Sequence, residues 1–217
     1  GRGDWQTNTA RIINERLAAP YQLVTDWSHL GFERYREGVA VLSRHPVESH
    51  RARYVSRSTD PYSIHSRKVV MARVRVPRFG LLNVFSSHLS WWEDGFAEQF
   101  GNLRRWAGEE AGDGIAASML CGDFNIKAGS LGYQLVVESR EYRDQYLAAT
   151  SPRVFGKVFE AGEPGWPQDL DDDQRIDYVF LRQGSRLRVT SARSVFTDHD
   201  YGRVSDHLGY LMTFEPT

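Results

Sequence analysis

The sequence has few cysteines, no long apolar run and no excess of charge of either sign. Its one cysteine, Cys121, excludes an intramolecular disulfide framework, so we expect a protein of a reducing, cytoplasmic compartment. No stretch approaches the roughly 20 consecutive apolar residues of a membrane span, and the N-terminus lacks the apolar core of a signal peptide. The 27 Lys and Arg residues nearly balance the 28 Asp and Glu residues, which predicts no strong attraction to nucleic acid or to an anionic membrane.

The composition is that of an ordinary globular protein. Hydrophobic residues make up 41% of the chain and charged residues 25%. Residues 151–173 are rich in Gly, Pro and acidic side chains, and strong strand signals continue directly after them. We therefore predict a surface loop there and a single domain over residues 1–217, whereas the oligomeric state is not indicated.

Short runs rich in β-branched residues predict strands at Tyr21–Thr25, Gly38–Ser43, Val69–Val76, Leu81–Ser87, Ser118–Cys121, Asp177–Leu181, Leu187–Val195 and Leu208–Phe214. Helical periodicity predicts helices at Thr9–Leu17, Glu93–Ala107 and Leu131–Ser139, with Ser130 as the N-cap of the last. Strands thus outnumber helices. This pattern predicts an α+β layered architecture built around twisted sheets.

Polar residues cluster where predicted strands begin or end. Asp123 and Asn125 follow an apolar run, and in an extended segment their side chains would point the same way. A carboxylate can hold a hard cation or orient water, and an amide can donate to a phosphate oxygen. An Asx turn that caps the following residues explains the pair equally well.

Two further segments place charge beside a buried strand. Asp177 opens one strand, and Asp206 and His207 precede the last. A histidine beside a carboxylate can act as a general base that a second carboxylate orients, while its neighbour binds metal. Taken singly, a structural histidine and an Asp cap are the more frequent explanations.

Taken together, these segments resemble the endonuclease/exonuclease/phosphatase superfamily, to which deoxyribonuclease I belongs. The segments that match its motifs, in the family's order, are 38–46 (GVAVLSRHP), 87–89 (SHL), 122–125 (GDFN), 175–178 (RIDY) and 205–207 (SDH). The resemblance implies a four-layered β-sandwich flanked by helices, with a site at one edge of the sheets that binds Mg²⁺ or Mn²⁺. The activity it implies is hydrolysis of a phosphoester, by a phosphatase or a nuclease.

The resemblance also implies roles for individual residues. His207 resembles the general base, Asp177 the carboxylate that orients it, and Asp206 a metal ligand. Asp123 and Asn125 look like residues that position water and phosphoryl oxygens on the metal side.

Three further positions complete the predicted site. His88 resembles a cationic contact to the phosphate or leaving group. Glu37, in a segment similar to one of deoxyribonuclease I, would support His88, although a solvated loop acid is an equal alternative. Arg67 is a weaker candidate for a phosphate contact.

The chain also departs from the family pattern. Members normally begin with strands that end in a metal-binding Glu, and the element at Trp5–Leu17 corresponds to the helix that follows them. We therefore expect a domain that lacks its first strands. Either the sequence is truncated, or the missing strands come from elsewhere, or this form folds as it is and binds its metal weakly.

Aromatic side chains near the predicted site indicate the class of substrate. Trp91 and Trp92 directly follow His88, and Tyr35 precedes Glu37. Aromatic faces stack on sugars or bases, although some of these rings will hold the following helix. The segments around them resemble the maltose 6'-phosphate phosphatase branch, which favours a small phosphorylated substrate. A DNA or RNA nuclease and an inactive binding module are the alternatives.

Overall fold

The computed structural model describes residues 4–149, 175–197 and 204–217. The predicted loop at 151–173 lies outside them. The helices are α1 (Thr9–Glu15), α2 (Phe96–Glu109), α3 (Leu131–Glu138) and α4 (Gln145–Ala148), and a 3₁₀ turn spans Trp92–Asp94. The strands are β1 (Gln22–Gly31), β2 (Tyr35–Ser43), β3 (Val47–Tyr54), β4 (Lys68–Val76), β5 (Gly80–His88), β6 (Ile115–Asp123), β7 (Tyr142–Asp144), β8 (Asp177–Arg182), β9 (Leu187–Val195) and β10 (Gly209–Pro216).

A six-stranded sheet with the order β3-β4-β5-β6-β8-β7 forms the centre of the fold. Strands β5 and β6 run parallel, with α2 in the connection between them, and the other neighbours are antiparallel. The carboxyl ends of β5 and β6 therefore lie at the same edge as the first residue of β8. This edge is where the sequence places most of the candidate polar residues.

Each face of this sheet carries its own apolar layer. On one face, α2 buries Phe96, Phe100, Leu103 and Trp106 as its periodicity predicts, and Val136 of α3 joins the same cluster. On the other face, Val70, Ala72 and Val74 of β4 pack against Val24 and Val39 of the β1–β2 pair. The alternation within β4 thus divides its side chains between two cores.

The layered α+β fold predicted from the sequence is confirmed. The layer that packs against the six-stranded sheet on the side away from α2 differs from a single continuous sheet. Among the described residues that layer consists of two separate two-stranded ribbons, β1–β2 and β9–β10. Helix α1 contacts β1 and β2.

Ser130 caps α3 as predicted, since its side chain accepts from the backbone N–H of Tyr133. Within the described ranges, no helix is long and apolar enough to cross a membrane.

Candidate active site

Strand register brings three of the predicted residues into one row. In the parallel pair β5–β6, His88 lies opposite Asp123, and in the antiparallel pair β6–β8, Asp123 lies opposite Asp177. Residues directly opposite each other in neighbouring strands have their Cβ atoms roughly 4.5–5.5 Å apart. The row therefore concentrates one imidazole and two carboxylates at the edge of the sheet.

Gly122 allows β5 and β6 to approach closely just before this row. Its φ of 124° is in the region that favours glycine, and a Cβ atom there would lie 2.1 Å from the backbone oxygen of Ser87. The hydroxyl of Ser87 donates to the backbone oxygen of Cys121 at 3.1 Å. The glycine of the 122–125 motif is thus required by the close contact of the two strands that carry His88 and Asp123.

His207 joins the row through Asp177, as the sequence predicts. Its Nδ1 atom lies 2.6 Å from Oδ2 of Asp177. This hydrogen bond raises the pKa of His207 to about 9, burial opposes the shift, and the charges of Asp177, Asp123 and Asp206 add to it. His207 is therefore protonated at neutral pH in the protein alone, and a base role requires positive charge nearby that offsets these carboxylates.

The contact of His88 with a phosphate or leaving group stays a prediction, and the surroundings of His88 disfavour its protonated form in the protein alone. Burial and the adjacent charge of Arg67 lower the pKa of His88 to about 4, against the opposing effect of Glu37. Its Nε2 atom lies 3.6 Å from Oδ2 of Asp123, beyond hydrogen-bond distance. The low pKa favours a neutral imidazole at pH 7, whereas the nearby Arg67 guanidinium carries a positive charge.

Asn125 departs from the extended geometry predicted for its segment. Its φ is 51°, in the left-handed region, because the chain turns directly after β6. The side chain is buried, and its Nδ2 donates to the backbone oxygen of Leu89 at 2.7 Å. Its backbone N–H donates to Oδ1 of Asp123 at 2.7 Å, so the Asx turn is present. Asn125 thereby fixes the ends of β5 and β6 and the orientation of Asp123.

Glu37 lies close to His88 but does not pair with it. Among the described residues, its ion-pair partner is His29, whose Nε2 lies 3.2 Å from Oε2 of Glu37. The hydrogen bond from His29 lowers the pKa of Glu37, burial opposes the shift, and the charges of His29, His88 and Arg67 add to it. Glu37 therefore acts on His88 through its charge and not through an ion pair, and its support of His88 in catalysis stays a prediction. No sequence motif indicates His29 as the partner, because the pairing depends on a contact between β1 and β2.

Arg67 lies inside the site rather than on the open surface. Its guanidinium is partly buried beside Glu37, Asp123 and Asp94, and burial is the main cause that lowers its pKa. Arginine nevertheless stays protonated in proteins. A hydrogen bond of 3.1 Å from Nε to the hydroxyl oxygen of Ser90 orients the group.

Ser90 is itself held by α2. The amide of Gln99 donates to the Ser90 hydroxyl oxygen at 3.0 Å, and its carbonyl oxygen accepts from the Ser90 backbone N–H at 2.9 Å. Both side chains are almost fully buried. Helix α2 thus fixes the Arg67 guanidinium through Ser90, a link that the sequence alone did not reveal.

A buried ion pair supports the start of β8. Arg175 Nη2 lies 2.5 Å from Oδ2 of Asp144, and both side chains are 3% exposed. The guanidinium carbon lies 4.5 Å from the centre of the Tyr178 ring, a cation–π distance. Asp144 is therefore a buried residue of the core.

The three aromatic residues that the sequence predicts beside the substrate are partly exposed. Trp91, Trp92 and Tyr35 expose about two-fifths of their surface, at 40%, 39% and 40%. Trp92 also contacts the Phe96 ring, with 6.3 Å between ring centres. Trp92 therefore packs against α2 and still exposes part of its ring to solvent. It follows His88, the residue of the row on β5, by four positions in the sequence.

Asp123 belongs to the row, and Asp206 is exposed and lies near enough to His207 for its charge to act on that ring. Both carboxylates suit a hard cation. In the part of the chain that the structure describes, no group of three His, Cys, Asp or Glu side chains has the arrangement of metal ligands. Mg²⁺ often takes only one or two carboxylates and completes its coordination with water and phosphate oxygens. Burial and the charge of Asp177 raise the pKa of Asp123 to about 7, a cost that a bound cation would remove. The donors fit a cation shared with substrate and water.

Comparisons with known proteins agree with this geometry. Residues 3–207 match the model of the Endonuclease/Exonuclease/phosphatase family. No functionally curated protein matches the sequence significantly.

Solved structures share the fold. An endonuclease/exonuclease/phosphatase family protein from Leptotrichia buccalis is 24% identical, with a TM-score of 0.78 over 95% of this chain and 76% of the other. A mannosyl-6-phosphatase of Bacteroides thetaiotaomicron is 15% identical, with a TM-score of 0.70 over 95% and 80%. The human Nocturnin catalytic domain is 17% identical, with a TM-score of 0.69 over 98% and 77%. The chain belongs to the endonuclease/exonuclease/phosphatase family of phosphoester hydrolases.

Proposed function

We propose that the chain is a phosphatase that hydrolyses a small sugar-phosphate-like substrate with the help of Mg²⁺ or Mn²⁺. The observation that carries the proposal is the hydrogen bond of 2.6 Å between His207 and Asp177, next to Asp123 and His88 in the same row. This combination supplies an oriented imidazole, a second carboxylate and a neutral imidazole at one edge. A phosphoester hydrolase needs such groups to activate water and to contact the phosphoryl oxygens.

The proton transfer is assigned to His207. Asp177 accepts a hydrogen bond from Nδ1 and so holds the ring. In the deprotonated form of His207, which the positive charge of a bound cation would favour, Nε2 on the other side of the ring takes the proton of the attacking water. Asp123 positions that water, and Asn125 holds Asp123 in place. Asp123, Asp206 and the side-chain oxygen of Asn125 would hold the divalent cation, which neutralises charge that develops on the phosphoryl oxygens when it is bound.

Arg67 is assigned to the phosphoryl oxygens. Its guanidinium is oriented by Ser90 through Nε, and a planar cation of this kind suits two phosphate oxygens at once. His88 contacts the leaving group as a neutral hydrogen-bonding group. The positive charge that the resemblance assigned to His88 therefore comes from Arg67 in this proposal.

The surroundings of the row favour a small substrate over a duplex. The net charge is −1, which gives no general attraction to a polyanion. Trp91 and Trp92 follow His88 in the sequence and are partly exposed. Aromatic rings and nearby charged groups are the usual partners of a sugar. The shared fold of the mannosyl-6-phosphatase is consistent with this class of substrate.

A substrate panel tests the proposal. The full chain is assayed with Mg²⁺ or Mn²⁺ on hexose 6-phosphates, on a simple aryl phosphate and on plasmid DNA. We expect turnover of the hexose phosphates, its loss in His207→Ala, and its retention in the control His50→Ala, because His50 lies exposed on β3. Nicking of plasmid without phosphate release would assign a nuclease instead, and inactivity on every substrate would favour a binding module.

A further inference from the structure

Two polar side chains of α2 are linked by hydrogen bonds to Arg67, and none of the matched sequence motifs includes either of them. Gln99 and Asn102 are three positions apart, a spacing that places side chains on the same side of a helix. Gln99 is 2% exposed, and Asn102 is partly buried. Gln99 contacts the residue that binds the Arg67 side chain, and Asn102 contacts a residue that binds the Arg67 backbone.

The link through Gln99 has a fixed direction. The backbone N–H of Ser90 can only donate, so the Gln99 atom that faces it at 2.9 Å is the carbonyl oxygen Oε1. The amide nitrogen Nε2 then faces the Ser90 hydroxyl oxygen at 3.0 Å and donates to it. A hydroxyl oxygen has two lone pairs, and the second accepts from Nε of Arg67 at 3.1 Å. Gln99 therefore fixes the oxygen to which the Arg67 side chain binds.

The link through Asn102 restrains the backbone of Arg67. Nδ2 of Asn102 donates to the backbone oxygen of Val55 at 2.8 Å, and the backbone N–H of Val55 donates to that of Arg67 at 2.9 Å. The backbone N–H of Arg67 donates to the hydroxyl oxygen of Ser56 at 2.7 Å. Arg67 is thus held at its backbone and at Nε, which removes much of the rotamer freedom of a long side chain.

Hydrogen bonds also connect this arrangement to the row at the edge of the sheet. Leu89 directly precedes Ser90, and its backbone N–H donates to the backbone oxygen of Asp123 at 2.9 Å. The backbone oxygen of Leu89 accepts from Nδ2 of Asn125 at 2.7 Å. Arg67 therefore binds the residue next to the segment that joins the ends of β5 and β6.

The contact with Ser90 decides which edge of the guanidinium a ligand can use. Nε is occupied, and among the described residues neither Nη atom of Arg67 has a hydrogen-bond or ion-pair partner. Two N–H groups on one planar cation match two oxygens of a phosphate. The edge formed by the two Nη groups is therefore the one left for a phosphate, and Ser90 sets its direction.

We propose that Gln99 is a positioning residue for the reaction, which sets the direction of the Arg67 guanidinium through Ser90 while Asn102 restrains the backbone. Gln99 contacts neither substrate nor cation, and its effect on turnover passes through Arg67. The catalytic part of this inference rests on the proposed function, which assigns Arg67 to the phosphate. The orientation of Arg67 by Gln99 does not rest on it.

The first test follows the Nε hydrogen of Arg67 and needs no turnover. We expect ¹⁵N–¹H NMR of the full chain to show a slowly exchanging Nε–H signal that Arg67→Met removes, because a hydrogen-bonded and partly buried N–H is protected from solvent. Ser90→Ala and Gln99→Met should each speed its exchange several-fold. Gln134→Met, at an exposed position of α3, is the control and should not. An unchanged rate in either of the first two variants would overturn the proposal, whatever the enzyme hydrolyses.

The second test measures hydrolysis of the hexose phosphates. Ser90→Ala and Gln99→Met should each lower kcat/KM roughly 10- to 100-fold, because small displacements of catalytic groups have effects of this size. Ser90→Ala removes a single oxygen atom, so it tests the link even where Gln99→Met fails to fold. Gln134→Met should leave kcat/KM unchanged. Full activity of folded Ser90→Ala would contradict the proposal.

The Arg67→Met background separates positioning from a merely structural role. Methionine fills the space of the arginine stem but offers Ser90 no N–H group, so Gln99 has nothing left to position. Gln99→Met should therefore change kcat/KM less than about three-fold in this background. Equal losses in the two backgrounds would overturn the positioning role. If the unmodified protein turns over no substrate, the proposed function fails, and the exchange rate of the Nε hydrogen still decides whether Gln99 orients Arg67.

Discussion

His207 and Asp177 are 30 residues apart in the sequence, yet Nδ1 of the first lies 2.6 Å from Oδ2 of the second. Asp177 opens β8 and His207 lies just before β10, so the contact joins the central sheet to the β9–β10 ribbon. The hydrogen bond fixes which nitrogen of the imidazole carries a hydrogen. It is the contact on which the proposed chemistry depends most.

Asp177→Asn should lower kcat roughly 10²- to 10⁴-fold, because the amide cannot stabilise the protonated imidazole and favours the wrong tautomer. The melting temperature should change little. Asp113→Asn, in the exposed turn before β6, is the matched control. Equal turnover of the two variants would show that Asp177 does not orient the base.

Removal of divalent cations with a chelator should abolish hydrolysis, and Mg²⁺ or Mn²⁺ should restore it. In Asp123→Asn the cation concentration that gives half of the full activity should rise at least roughly ten-fold, since a carboxylate ligand is lost. Asp113→Asn again serves as control. Full activity after chelation would contradict metal dependence.

Gly122→Ala should destabilise the fold by about 1–3 kcal/mol and reduce turnover, because the Ser87 backbone oxygen occupies the space of the added methyl group and φ is positive. Gly101→Ala in α2 is the control. Among the described residues outside its own helical turns, no atom lies within 4 Å of its Cβ position, so alanine should raise the free energy of unfolding slightly. Urea unfolding of both variants measures the difference, and an unaffected Gly122→Ala protein would refute the required close contact.

Asp144→Ala should lower the free energy of unfolding by about 3–5 kcal/mol, because it leaves the buried Arg175 charge without its carboxylate. The exposed pair of Arg188 and Glu215 provides the comparison. Glu215→Ala should cost less than about 1 kcal/mol, as is usual for surface pairs. Similar losses in the two variants would contradict the role of burial.

Glu37 predicts a pH-dependent stability. Its pKa is lowered in the folded protein from the ordinary 4.5, so the ionised carboxylate stabilises the fold above pH 4.5, and this contribution is lost as the pH falls through the lower folded value. The stability difference between the unmodified protein and Glu37→Gln should therefore be largest near neutral pH and shrink in acid. A difference that stays constant from pH 7 to acid would contradict the assignment.

The sequence predicts well those features that depend on local pattern. Strands β4, β5 and β6 are strongly apolar, and the candidate polar residues that follow β5 and β6 could be placed at strand ends from the sequence alone. Strand β3 was missed because its side chains are mostly polar and exposed, as expected for an edge strand with one neighbour. Strand β1 was predicted too short for a related reason, since its bulge interrupts the alternation.

Contacts between layers could not be predicted. The partner of Glu37 depends on the register of β1 against β2, and the burial of Arg67 depends on Ser90 and Gln99 beyond the next strand. Asn125 shows the limit of motif reasoning most clearly. Its identity matched the family, but its left-handed backbone follows from the turn after β6, and the turn gives the side chain a different contact.

The pairing of β6 with β5 and β8 limits which insertions and deletions the sequence can accept. The row of His88, Asp123 and Asp177 exists because each strand contributes its residue at the same level. Side chains alternate between the two faces of a sheet, so a shift by one position turns every one of them over. Deletion or insertion of a single residue within β6 should therefore reduce the activity more than most substitutions do. The segment around Trp91 lies outside the paired strands, so a change in its length should affect the activity less.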